Sequence, residues 1–259
     1  MCIRDSKIIK QMVKERRNFW LEFDIRNHFK LGPVKYHNVV ASIKGTKYPD
    51  EYVIISGHLD SYDVATGGID CGTGIGPMME AARMIALSGA KPKRTILFVA
   101  FAGEEFGLLG AKAYVKTHAK ELGKIANLFN RDGGPTPPVG ISVPQAMYDD
   151  FVEVCKPVKE IRADYPFEVK VAKPFKRPTQ SGGTDASVFA VEGVPTFGFN
   201  TQDIKGYNFS YGEIWHTERD LYTKNIPEYQ EHAATVTAVV ALGIANLSKQ
   251  LSREGMHKK

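Results

Sequence analysis

Seven side chains that can hold metal ions or carry protons recur at one kind of place in this sequence. His58, Asp60, Asp70, Glu104, Glu105, Asp132 and His216 sit where apolar, strand-like runs give way to Gly-rich or polar stretches. GHLDS follows YVIIS, GGIDCGTG comes soon after, AGEE follows TILFVAF, NRDGG follows IANLF, and EIWHT comes late. Imidazole and carboxylate donors together suit zinc, which takes nitrogen and oxygen ligands at about 2 Å. Five such donors and a spare acid are what a two-metal hydrolytic site requires, with one bridging carboxylate and ions about 3.5–4 Å apart.

Within that set, Asp70 is the natural bridge. It lies among Gly67, Gly68, Gly72 and Gly74, which let the backbone approach closely. One ion then takes His58, Asp70 and Asp132, and the other takes Asp70, Glu105 and His216. Glu104 is left as the general base, taking a proton from water and returning it to a leaving amine. Asp60, two residues from His58, is placed to hold the second imidazole nitrogen and fix its tautomer, and Asp220 in HTERD to do the same for His216. Any one of these acids alone reads as a solvated loop residue. The ordered set, each member at a strand end, does not.

Elements must exist to bring these residues together. The pattern predicts a helix or returning connection over 7–22, strands over 37–44, 50–57, 95–102, 125–130 and 196–200, and helices over 74–87, 108–122, 145–160, 185–191 and 226–251. Gly89 is the expected C-cap of the 74–87 helix. Met78, Met79 and Met84 read as core, and His118 and His232 as surface histidines on helices. Strand–helix alternation predicts a three-layer α/β/α fold with a mostly parallel central sheet. Such sheets bind ligands beyond the carboxyl ends of their strands, where the seven residues fall.

Composition narrows the rest. The 259 residues, 43% hydrophobic, are enough for one large α/β domain. The formal charge of +5 is spread along the chain with no dense basic and aromatic block, so no nucleic-acid partner is expected. No apolar run reaches the length of a membrane span. Three cysteines, Cys2, Cys71 and Cys155, give no disulfide framework. Residues 1–6, MCIRDS, bear no relation to the rest of the chain and read as foreign. The expectation is therefore the carboxyl-terminal part of a longer protein: a remnant or connection over 1–36, and a catalytic domain over 37–259. No signal peptide is visible, and the expectation for the full-length protein is export to the periplasm or beyond.

GHLDSYDVATGGIDCGTG and PKRTILFVAFAGEEFGLLGAKAYV resemble the co-catalytic dizinc exopeptidases, the group of bacterial aminopeptidases and glutamate carboxypeptidases. The likeness runs over about residues 37–250 and is nearest to the plasma glutamate carboxypeptidase branch and its bacterial relatives. It implies the zinc-exopeptidase (phosphorylase/hydrolase-like) fold, two Zn2+ ions, His58, Asp70, Glu105, Asp132 and His216 as ligands, Glu104 as base and Asp60 as their supporting acid. It further implies short peptides with a free amino terminus as substrates, and a homodimer as one option. SGGTDASVFAVEGVP is similar to the group's substrate-side segment, which implies that Thr184 and Asp185 line or support the pocket. Tyr211, near His216, is a candidate oxyanion donor.

Two departures stand out. Cys71 occupies a position where the group carries Asp or Asn after the bridging acid, across a peptide bond that is often cis; we expect it to be tolerated. The group's upstream segment and inserted protease-associated domain are not in this sequence. A single-zinc glutaminyl cyclase and a non-catalytic binding homologue remain the alternatives. All ligands and the base are present, which argues against the second.

Overall fold

A computed structural model describes residues 3–26, 28 and 32–257. Met1, Cys2, part of the 7–36 connection and the last two lysines lie outside the described residues. The chain runs α1 (Ile3–Lys14), β1 (Val39–Ile43), β2 (Tyr48–His58), α2 (Gly72–Leu87), β3 (Arg94–Phe101), α3 (Leu109–Thr117), β4 (Ile125–Asn130) and β5 (Pro138–Val143). It continues through α4 (Gln145–Ile161), β6 (Glu168–Val171), α5 (Ala186–Val191), β7 (Phe199–Thr201), α6 (Tyr211–Ile214) and α7 (Pro227–Asn246).

Strands pair in the order β1-β3-β2-β4, with β2 parallel to both neighbours and β1 antiparallel at the edge. A second sheet, β6-β5-β7, has one parallel and one antiparallel pair. The two are stitched at β4. Leu128 N–H donates to Pro195 O at 2.9 Å, and the buried Asn127 amide exchanges two 3.0 Å bonds with the backbone of Phe197.

The three layers follow from alternation within buried strands, whose apolar residues face both ways. Ile96 and Phe98 of β3 pack with Met78 and Ala81 of α2 and with the helices α4 and α7. Val99 and Phe101 pack on the other face with Ala111 and Tyr114 of α3 and Phe189 of α5. The expected α/β/α architecture is therefore present, and its parallel strands β2, β3 and β4 end together beside the candidate site.

Several expectations need correction. The first helix spans Ile3–Lys14, after which Arg16 adopts φ 53°, so of the 7–22 stretch only 7–14 is helical and the rest is connection. The third helix ends at Thr117 and the last at Asn246, short of 122 and 251. The strands β5 and β6 have no counterpart among the expected elements. Met79 is exposed, while Met78 is buried and Met84 partly so. His232 is not on the surface: it is fully buried, stacked on Tyr165 at 3.9 Å, with Nε2 2.8 Å from Pro138 O. Burial pushes its imidazole down to about 4. Among the described residues no helix is long and apolar enough to cross a membrane.

Candidate metal centre

His58 closes β2, and its neighbour strands β3 and β4 end at Phe101 and Asn130, so the stretches holding Glu104, Glu105 and Asp132 start from one edge. Asp70 precedes the first turn of α2. That turn must lie against the backbone after β4. A Cβ on Gly74 would sit 2.1 Å from Arg131 O, and one on Gly68 2.2 Å from the Leu221 backbone. These two positions therefore admit only glycine, and the Gly-rich turn is a packing requirement. The Asp70–Cys71 peptide is cis.

The convergence is close. His58 Nε2 lies 2.9 Å from Asp70 Oδ1 and 3.4 Å from Asp132 Oδ1. His216 Nε2 lies 2.9 Å from Glu105 Oε2. Donor atoms of His58, Asp70 and Glu105 are all within 4.8 Å of one another, and so are those of His58, Cys71 and Asp132. Each imidazole thus faces the acids expected to share its ion, with Asp70 near both groups. His216 is further held by stacking on Tyr62, centroids 4.2 Å apart and 5° from parallel.

Electrostatics point the same way. Burial raises Glu104 to about 8, aided by the charges of Asp132, Asp185 and Glu105. Glu105 is raised to about 7 by burial and by Asp70. His58 is buried, which opposes its charge, yet its contacts with Asp132 and Asp70 hold its protonated form far above the usual imidazole range. Glu105 Oε1 is buried with no hydrogen-bond partner. Buried carboxylates crowded together with an orphaned oxygen are costly unless a cation compensates them. The donor set therefore fits one or more zinc ions, on its chemistry and on that oxygen.

Supporting residues behave differently from their sequence-based roles. Asp60 does hold the His58 Nδ1–H, but through its main-chain oxygen at 2.9 Å; its carboxylate is 3.9 Å away. That carboxylate instead accepts the Glu104 and Glu105 N–H groups, each at 3.1 Å. Asp220 accepts the Ile69 and Asp70 N–H groups at 2.6 and 3.1 Å, fixing the turn under Asp70 rather than the imidazole of His216. Asp220→Ala leaves two buried donors unpaired, so we expect a loss of about 2–4 kcal/mol in stability, read as a lower Tm.

Tyr211 donates to Asp70 Oδ2 at 2.9 Å. Thr184 receives a 2.6 Å bond from Asn130 Nδ2, and Asn130 in turn accepts from Ser56 Oγ at 2.7 Å. Asp185 is fully buried, both its oxygens lack partners, and burial raises it to about 7. Cys71 is buried and donates to Arg131 O at 3.0 Å, which gives its thiol a place without a metal. Thr184, Tyr211, Asp70, Glu104, Glu105 and His216 line one cleft of about 870 Å3. Arg131 also lines it, a residue that no spacing in the sequence singles out.

The model described as peptidase family M28 matches residues 38–240. The chain belongs to peptidase family M28. Carboxypeptidase Q of Mus musculus is 32% identical over 258 residues, spanning 98% of this chain and 51% of that protein. The crystal structure of a peptidase M28 precursor from Shewanella amazonensis superposes with a TM-score of 0.75 at 30% identity, covering 96% of this chain and 53% of that one. A zinc aminopeptidase from Bacillus subtilis shares the M28 fold at a TM-score of 0.62, 21% identity, 85% of this chain and 53% of its own. The chain spans about half the length of the curated relatives it matches.

Proposed function

We propose that residues 37–259 form the catalytic unit of a dizinc exopeptidase that hydrolyses short peptides with a free amino terminus. On this reading residues 1–36 are a remnant or connection, with 1–6 foreign to it, and the full-length protein is exported. The observation that carries the reading is the division of the donors into two groups, His58 with Asp70 and Asp132, and His216 with Glu105, around one cleft. Membership of the family supports it.

His58, Asp70 and Asp132 would hold one zinc ion, and Asp70, Glu105 and His216 the other. When bound, the ions supply Lewis acidity and lower the pKa of water. Glu104 takes the proton of the attacking water and returns it to the leaving amine nitrogen. Asp60 holds Glu104 and Glu105 in place through their N–H groups. Tyr211 has a single O–H, donated here to Asp70 Oδ2, and on this reading it turns from that acceptor to the carbonyl oxygen under attack.

The test is hydrolysis of unblocked dipeptides against N-acetylated equivalents by zinc-loaded protein, with products identified. Release of free amino acids from the unblocked peptides alone is expected. Cleavage of blocked and unblocked peptides at equal rates, or cyclisation of amino-terminal Gln without release of an amino acid, overturns the proposal.

A further inference from the structure

Most of the cleft's charged lining is acidic, but Arg131 places a cation on its wall. The origin of its position is local. Pro77 lies inside α2 and has no N–H, so the Thr73 carbonyl four residues earlier loses its helical partner. Arg131 Nε supplies the missing donor at 2.8 Å, and Nη2 donates to Thr136 O at 3.0 Å. A guanidinium has five N–H groups. Two are used, so three have no partner among the described residues.

No carboxylate lies within salt-bridge distance of Arg131 among the described residues, unlike Arg94, which pairs with Glu51 at 2.6 Å. The residue is partly exposed, and Nη1 is not among the enclosed, unpartnered atoms. A guanidinium keeps its charge at neutral pH. The cleft lining also includes the uncharged Gly134, Thr136, Phe199 and Thr201, with Thr136 in direct contact with the guanidinium. A fork held by two carbonyls, with three donors left over, matches the geometry of a carboxylate. The other cation of the lining, Lys112, is exposed and donates to Gly107 O.

We propose that Arg131 forms a carboxylate-binding subsite in the cleft, receiving either the terminal or a side-chain carboxylate of a bound peptide. The proposal deepens the exopeptidase reading and rests on it for the nature of the ligand. On this proposal the ammonium end of a peptide lies near the acid cluster and one of its carboxylates on Arg131, so the two charges of the peptide each meet an opposite charge in the cleft. The subsite then sets which peptides bind, while the proton chemistry stays with Glu104.

The experiment measures binding by calorimetry to the zinc-loaded Glu104→Gln protein, so no turnover is needed. The probes are leucyl-leucine, its C-terminal amide, and leucyl-glutamate with its terminal carboxylate amidated. At least one free carboxylate is expected to improve affinity about 10- to 100-fold over leucyl-leucine amide, as a charge-assisted pair gives. A gain with leucyl-leucine assigns the terminal carboxylate, and a gain with the glutamate peptide the side chain. Adding Arg131→Gln should bring that probe down to the affinity of the amide and leave the amide unchanged. Equal affinity for all three probes overturns the proposal, as does a preference that survives Arg131→Gln. Should that variant not fold, Arg131→Lys decides: a preference reduced several-fold supports the subsite, and an unchanged one overturns it. Failure of wild-type protein to hydrolyse leucyl-leucine would bear on the exopeptidase reading alone.

Discussion

Glu104→Gln should reduce kcat by about 10²- to 10⁴-fold while bound zinc stays at the wild-type level, since a positioned general base contributes on that scale. The expectation rests on geometry. Glu104 lines the cleft beside the donor set, yet neither imidazole has it as a close partner, whereas Glu105 lies 2.9 Å from His216. Glu105→Gln is the control: it should lower metal content as well as rate. Elemental analysis alongside single-substrate kinetics separates the two variants. A Glu104→Gln protein that keeps more than a few per cent of wild-type activity would remove the proton-transfer role from this residue.

Zinc itself should have the second large effect. Stripping it with a chelator should abolish hydrolysis and lower Tm, and restoring it should reverse both. An ion that binds only the folded state adds about 4 kcal/mol when its free concentration is a thousand times Kd. For a chain of this size each kcal/mol moves Tm by about 2–4 °C, so a rise on the order of 10 °C per ion is expected. The crowding of Asp70, Asp132, Glu104 and Glu105 makes the effect large, because the metal-free protein carries their mutual repulsion. Asp70→Ala should cost both ions, and Asp132→Ala only one. Equal metal loss in the two variants would contradict the bridging role of Asp70.

The sequence made the ends of β2, β3 and β4 legible because their apolar runs are uninterrupted and stop at residues with chemistry. It hid β5 and β6 for opposite reasons. PPVGISV begins with two prolines and contains a glycine, while EVKV alternates with charges and stays largely exposed. His232 is hard to place from sequence because α7 is buried on nearly every side, leaving no polar face to sort it by. The ligand set could be read from residue type and place. The supporting contacts could not: Asp220 reaches the backbone of Ile69 and Asp70 across 150 residues of chain, and no spacing rule encodes that. Arg131 gives no signal of its own, since its position depends on a carbonyl that Pro77 releases elsewhere.

Asp60 touches the site three times, through its carbonyl on His58 and its carboxylate on Glu104 and Glu105. It serves as a common datum, so a shift of its loop carries the imidazole and both glutamates along as a set. His216 makes no hydrogen bond to that datum: it meets the Asp60 loop through the stacked ring of Tyr62, and its own loop is moored by Asp220 to the turn at Ile69 and Asp70. Errors of alignment should therefore collect along a single seam, between Glu105 and His216. Tolerance to thermal wobble is set there, and the ion spanning that seam should be the first to leave as the protein warms.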